Sequence, residues 1–176
     1  MSTRIVLLRA VNVGGGAKLP MAELREIAGD LGATDVATYI ASGNLVADVP
    51  GDPDAFDRAL EKAVEQRFGF FREAISRTPE QVRAALDAHP FEVSEPKFSY
   101  VTFLAGEPTA EAIAKAETYE TGDDRWQVIG TEMHIRYANG AGRPEMKGDS
   151  IGRALGVPGT ARNLNTVRKL LALTGS

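Results

Sequence analysis

Leu7-Leu8-Arg9-Ala10-Val11-Asn12-Val13-Gly14-Gly15-Gly16-Ala17-Lys18-Leu19-Pro20 runs an apolar strand into a glycine loop and the loop into a helix. Such a junction can present backbone N–H groups and a helix N-terminus to an anion. Glycine also serves there simply to turn the chain. Working outward, Arg4 to Val11 reads as a buried central strand, and Pro20, Met21, Leu24, Ile27 and Leu31 fall at helical spacing up to Gly32. Val36 to Ala41 and Leu45 to Val49 form a hairpin turning at Ser42-Gly43-Asn44. Asp52 or Asp54 caps a helix whose apolar stripe is Phe56, Leu60, Ala63, Val64 and Phe68, Gly69 ends it, and Phe70 to Ser76 is a fourth strand. Residues 4–77 therefore spell strand–helix–strand–strand–helix–strand, the ferredoxin-like order.

A linking helix opens at Thr78-Pro79-Glu80-Gln81 and runs to His89, and the proline-bracketed segment His89 to Pro96 marks a boundary. The order then begins again. Phe98 to Leu104 is a strand, Pro108 to Tyr119 a helix, and Arg125 to Ile129 with Glu132 to Tyr137 a hairpin turning at Gly130-Thr131. A glycine-rich loop over 139–144, a short helix over Ser150 to Leu155 and a last helix from Leu164 to Leu173 complete the chain. The fold class is α+β, with two ferredoxin-like units in tandem over residues 1–90 and 91–176. In this reading the second unit lacks its last strand and ends in helices.

With 176 residues, 43% of them hydrophobic and 25% charged, the composition is that of a globular protein. Without a cysteine there is no disulfide, no thiolate nucleophile and no Cys-type zinc site. Ile5-Val6-Leu7-Leu8 is too short for a signal peptide's apolar region, and no stretch reaches the roughly 20 apolar residues of a membrane span, so a cytoplasmic protein without a membrane partner is expected. The net charge is −4, but both ends of the chain are basic, which directs an anionic partner to the ends.

In a ferredoxin-like sheet the first two strands run parallel, so the loop after strand one and the turn after strand two share an edge. That edge would gather Arg9, Asn12, Gly14, Gly15 and Lys18 with Ser42 and Asn44, joined by Arg162, Asn163 and Arg168 from the start of the last helix. For that helix start the plainer alternative is capping by Asn163 beside a basic surface. Ala17 and Leu19 break both the phosphate-loop and the dinucleotide spacings. His89 ends a helix before a proline, and His134, alternating with Met133 and Ile135, is placed on an exposed strand face with Arg136. Asp52, Asp54, Asp123 and Asp124 read as solvated or capping. No metal site, cofactor or catalytic residue is specified. The expected function is binding of an anionic small molecule, a nucleotide or phosphorylated metabolite. Nucleic-acid binding through the basic ends and self-association through an open sheet edge are the alternatives, the former disfavoured by overall acidity and by the lack of an RNP1-type aromatic motif.

The chain resembles a bacterial family catalogued as domain of unknown function 1697. The resemblance rests on residues 7–15, Met21-Ala22-Glu23-Leu24, Thr38-Tyr39-Ile40-Ala41-Ser42-Gly43-Asn44, Tyr100-Val101-Thr102-Phe103-Leu104 and residues 160–170. It implies an α/β protein of ferredoxin-like units and no established activity. In that family the positions matching Gly16, Pro20 and Glu145 often carry lysine, so this chain has fewer cations than the resemblance implies.

Overall fold

The computed structural model describes residues 1–175. Its first half runs β1 (Ser2–Leu8), α1 (Met21–Asp30), β2 (Thr34–Tyr39), β3 (Asn44–Val49), α2 (Pro53–Phe68), β4 (Ala74–Arg77) and α3 (Pro79–Asp87). The second half runs β5 (Ser99–Leu104), α4 (Ala110–Ala116), β6 (Arg125–Ile129), β7 (Glu132–Arg136), α5 (Gly148–Leu155), β8 (Gly159–Asn163) and α6 (Leu164–Leu173). The strands form two four-stranded antiparallel sheets, ordered β2-β3-β1-β4 and β6-β7-β5-β8. By the density of its contacts the chain falls into two units, residues 1–83 with 169–176 and residues 84–168.

In the first unit Val6 and Leu8 of β1 share one core with Leu45, with Leu24 and Ile27 of α1 and with Phe56, Leu60 and Val64 of α2. Ile5 and Leu7, which point the other way by the alternation of a strand, are equally buried. The sequence signals for the helices work as read. Asp52 caps α2 by accepting from Ala55 N at 2.9 Å, and Gly69 ends it in the left-handed conformation. Thr78 and Gln81 exchange hydrogen bonds as a capping box at α3.

The second sheet departs from the sequence reading, because its last strand is present. β8 pairs with β5, Arg162 opposite Val101 and Thr160 opposite Phe103. The strand was hidden because its inward positions are the polar Thr160 and Arg162, both buried, and because Gly156-Val157-Pro158-Gly159 reads as a stop. Strand one ends at Leu8 rather than Val11, since Ala10 and Asn12 have positive φ, and strand four starts at Ala74 rather than Phe70. On its α-covered face the second sheet packs Leu104, Met133 and Ile135 against Met146, Ile151 and Leu155.

The end of β1 is locked to the β2–β3 turn by a glycine. Gly43 has φ +83°, its carbonyl accepts from Leu8 N at 2.9 Å, and a Cβ there would lie 2.7 Å from Val11 Cγ2 and 3.0 Å from Leu8 Cβ. Gly43→Ala is expected to cost about 2 kcal/mol or more in chemical denaturation, from positive φ and overpacking together. Gly130→Ala, also at positive φ but with nothing within 4 Å of the new Cβ, is expected to cost only about 1 kcal/mol.

Under α2 lies a polar cluster that the sequence did not announce. Ser76 Oγ donates to Asp57 Oδ2 at 2.5 Å and accepts from Arg4 Nη2 at 2.8 Å, while Glu61 accepts from Ala74 N and pairs with Arg58. Burial raises the Asp57 carboxyl to about 6 against the pull of Ser76, Arg4 and Arg58. The folded protein thus holds this proton more tightly than the unfolded chain. The corresponding stability is fully present below about pH 4 and is lost as pH rises through about 6. Asp57→Asn should remove that decline, on the order of 2 kcal/mol, from the pH dependence of the unfolding free energy.

Candidate functional site

β1 and β2 run parallel with β3 between them, so the loop over 9–20 and the turn over 40–43 do meet at one end of the first sheet. The loop is a small hairpin. Asn12 N donates to Ala17 O at 3.0 Å and Gly16 N to Val13 O at 3.2 Å, with Gly14 (φ +63°) and Gly15 (φ +78°) at the bend. Two successive residues at positive φ make the mirror-image type of tight turn, for which glycine is the natural residue. These inward hydrogen bonds use the amides of Asn12 and Gly16.

Asn12 is the clamp of this end. Its Oδ1 accepts from Leu19 N at 2.7 Å, and its Nδ2 donates to Leu19 O at 2.8 Å and to Ala41 O at 2.6 Å. One side chain closes the loop, sets the entry to α1 and joins both to the β2–β3 turn. Asn44 is fully buried and holds the turn itself, donating to Tyr39 O at 3.0 Å and to Ser42 Oγ at 2.8 Å. Arg9 pairs with Glu73 at 3.4 Å. Asn12, Ser42, Asn44 and Arg9 are therefore brought together but engaged within the protein. Lys18 is exposed and makes no hydrogen bond or ion pair among the described residues.

Between the loop and the start of α1 lies a cleft of about 380 Å³, with Pro20, Met21 and Ala41 as its apolar wall and Asn12, Gly15, Gly16 and Lys18 around it. The backbone here is strained. Of the five non-glycine residues at positive φ among those described, Ala10, Asn12, Ala17 and Ile40 belong to the loop and the facing turn. Positive φ is costly for a β-branched residue such as Ile40, whose side chain is nevertheless 55% exposed. Strain of this kind gathers at ligand clamps and active sites. The cleft is lined by an ammonium and an apolar wall.

Arg162, Asn163 and Arg168 belong to the second unit. Arg162 is buried, donates from Nη1 to Thr160 Oγ1 at 2.6 Å and to Ala161 O at 2.9 Å, and is pushed down to about 10 by desolvation. Asn163 caps α6 by accepting from Thr166 N at 2.9 Å, which is the plainer of the two sequence readings. Arg168 is exposed.

Two residues of the second unit are corrected by the structure. Asp124, read as solvated, is fully buried and accepts from Ala138 N, Glu145 N and Met146 N, holding the ends of the glycine-rich loop together. Glu145, where the resemblance implies lysine, accepts from Asp123 N at 3.1 Å. His134, read as exposed, is 1% exposed and lies 2.9 Å from His89, Nδ1 to Nδ1. The alternation argument failed there because both faces of this sheet are covered, so the row opposite Met133 and Ile135 is buried as well. Ile40, Ala41 and Met21 are the site residues that sequence reasoning missed, since positive φ at Ile40 leaves no compositional mark.

The profile of the family described as "Protein of unknown function (DUF1697)" matches residues 1–134, a span that includes the loop, the cleft and the turn. Among solved structures, the conserved bacterial protein SP0830 from Streptococcus pneumoniae is 23% identical over 98% of both chains with a TM-score of 0.74, a likeness of fold. A candidate glycine cleavage system transcriptional repressor aligns at 13% identity over 91% of this chain and 95% of its own, and its TM-score of 0.24 carries no argument. No curated protein matches. No helix among the described residues is long and apolar enough to cross a membrane. The match over residues 1–134 makes the chain a member of the DUF1697 family.

Proposed function

We propose that the protein binds a small organic anion with an apolar body in the cleft between the glycine loop and α1. The apolar part rests on Pro20, Met21 and Ala41, and the acidic group meets Lys18. The observation that carries this reading is the cleft itself, whose wall is apolar while the cation beside it has no partner among the described residues. A bare inorganic phosphate fits less well, because the loop amides of Asn12 and Gly16 are already bonded to Val13 and Ala17 carbonyls within the loop. A phosphorylated metabolite remains within the class only if it carries an apolar portion.

Support also comes from treating the two halves as copies of one ferredoxin-like βαββαβ pass, each followed by a helix, over residues 1–90 and 91–176. The strand orders correspond, β2-β3-β1-β4 with β6-β7-β5-β8. The hydrogen bonds correspond as well: Leu8 N to Gly43 O matches Leu104 N to Thr131 O, and Arg9 N to Glu73 O matches Ala105 N to Pro158 O. In the second copy the strand-to-helix connection over 105–109 does the joining without a glycine hairpin. The longer loop over 9–20 is an addition to what the fold needs. Absence of cysteine fits the cytoplasmic setting of such a binder.

Thermal-shift measurement against a panel of alkyl and aryl carboxylates and phosphate monoesters tests the reading. A ligand at 100 times its Kd stabilises by about 2.7 kcal/mol, and about 2 to 4 °C of Tm follows per kcal/mol in a chain of this size. Lys18→Ala should weaken the binding of any hit about tenfold, while inorganic phosphate should give no shift. No hit in the panel, or equal binding by Lys18→Ala, refutes the proposal.

A further inference from the structure

His89 and His134 meet inside the second unit with Nδ1 atoms 2.9 Å apart and ring centroids 5.0 Å apart. Their geometry constrains the protons. One Nδ1 must carry hydrogen and the other must be bare, so one ring is the Nδ1–H tautomer and its partner the Nε2–H tautomer. Both Nε2 atoms are buried without a hydrogen-bond partner, one as an unsatisfied acceptor and the other as an unsatisfied donor. A first added proton, taken at the bare Nε2, leaves the Nδ1–Nδ1 hydrogen bond in place but puts a charge on a buried nitrogen, and a second sets two N–H groups against each other at 2.9 Å.

The chain attached to His89 has little else to hold it. Among the described residues, none from Pro90 to Ser94 makes a hydrogen bond or ion pair, and the Phe91 ring packs edge-on against His89 with centroids 5.7 Å apart. Glu95 O accepts from Phe98 N, and the regular structure of β5 follows from Ser99. Among the described residues His89 is thus the one polar tether of this segment to the sheet, through a strand residue that sits opposite Val101 of β5 and Gln127 of β6.

We propose that the His89–His134 pair is an acid-released latch that holds the segment 88–95 against the second sheet at neutral pH and frees it when the pair takes up protons. Arg168 on α6 opposes protonation of His89 in place, and His89 opposes that of His134. The elements around the pair also carry Arg162 on β8, Arg125 on β6, Arg136 and Glu132 on β7, and Glu80, Arg83 and Asp87 on α3; β5 carries no charged residue. Glu132 is already engaged by the Thr131 hydroxyl at 2.6 Å. Burial and the neighbouring His89 push His134 down to about 4, and burial with Arg168 pushes His89 down as well. Once free, each ring regains an ordinary value, near 6.5 for histidine. The open state is therefore favoured progressively as pH falls below about 6.5, by on the order of 50-fold between pH 7 and pH 4.5 from His134 alone.

Limited proteolysis of the full chain reads this opening, because cleavage follows the population of the open form when reclosing is fast. A glutamyl endopeptidase cuts after Glu92 and Glu95, with its rate normalised at each pH to an unstructured peptide of residues 88–98. The normalised rate should rise about 50-fold from pH 7 to pH 4.5 in the native protein and stay within a few-fold in His134→Phe, which fills the site but cannot titrate. Ring titration of the native protein by NMR gives a measurement independent of any variant. Both histidines should titrate below the ordinary histidine value, together with the release of segment 88–95. Titration near 6.5 with the pair intact, or the same acid response in His134→Phe, overturns the latch.

Discussion

The first sheet can carry its long loop because of one amide side chain. Asn12 reaches Leu19 N, Leu19 O and Ala41 O, and those three contacts fix where the loop returns, where α1 begins and where the β2–β3 turn lies. An apolar residue in its place would leave a peptide N–H and two carbonyls partly buried and unpaired, each costing roughly 1 to 3 kcal/mol. Asn also tolerates the left-handed conformation required there, at φ +56°. The same clamp ties the loop to the residue that leads into α1, and so fixes the edge of the cleft.

The same arithmetic explains why residues that look like ligands are not free to be ligands. Asn44, Asn163, Asp124 and Arg162 are polar residues in suggestive contexts, and each is consumed by backbone or hydroxyl partners. A buried polar group without a partner is expensive, so a fold with short loops uses its Asn and Asp side chains to close its own turns. What is left over is informative. At the loop it is Lys18, and inside the second unit it is the pair of histidine Nε2 atoms.

Most of the secondary structure was legible because local rules and packing agree. The capping box at Thr78, the Asp52 cap and the Gly69 stop are set by nearest neighbours, and the stripe from Phe56 to Val64 follows from helical periodicity. Three of the failures share one cause. β8, His134 and Asp124 are places where polar residues are buried, and a pattern that equates polar with exposed assigns all three wrongly. Arg162 facing inward disguised a strand, and His134 was assigned to water because the covering of the second face is a tertiary fact. Of the candidate site, the meeting of loop and turn was legible from topology. Which side chains remain unpaired there was not, because that depends on hydrogen bonds over sequence distances such as Asn12 to Ala41.

Two buried titrating groups act against each other in this molecule. Asp57, raised to about 6, makes the folded state favour acid, whereas His134, lowered to about 4, makes it favour neutrality over the same range. In the chain as a whole the two slopes oppose, so a shallow pH profile of stability is compatible with strong local dependence in each unit. The distinction matters for where acid acts. Lowering pH from neutrality relieves the cost of burying the Asp57 charge under α2, while it places a charge between β7 and the segment after α3. Global stability can then change little while one segment of the second unit opens, because the two protons are taken up in different units.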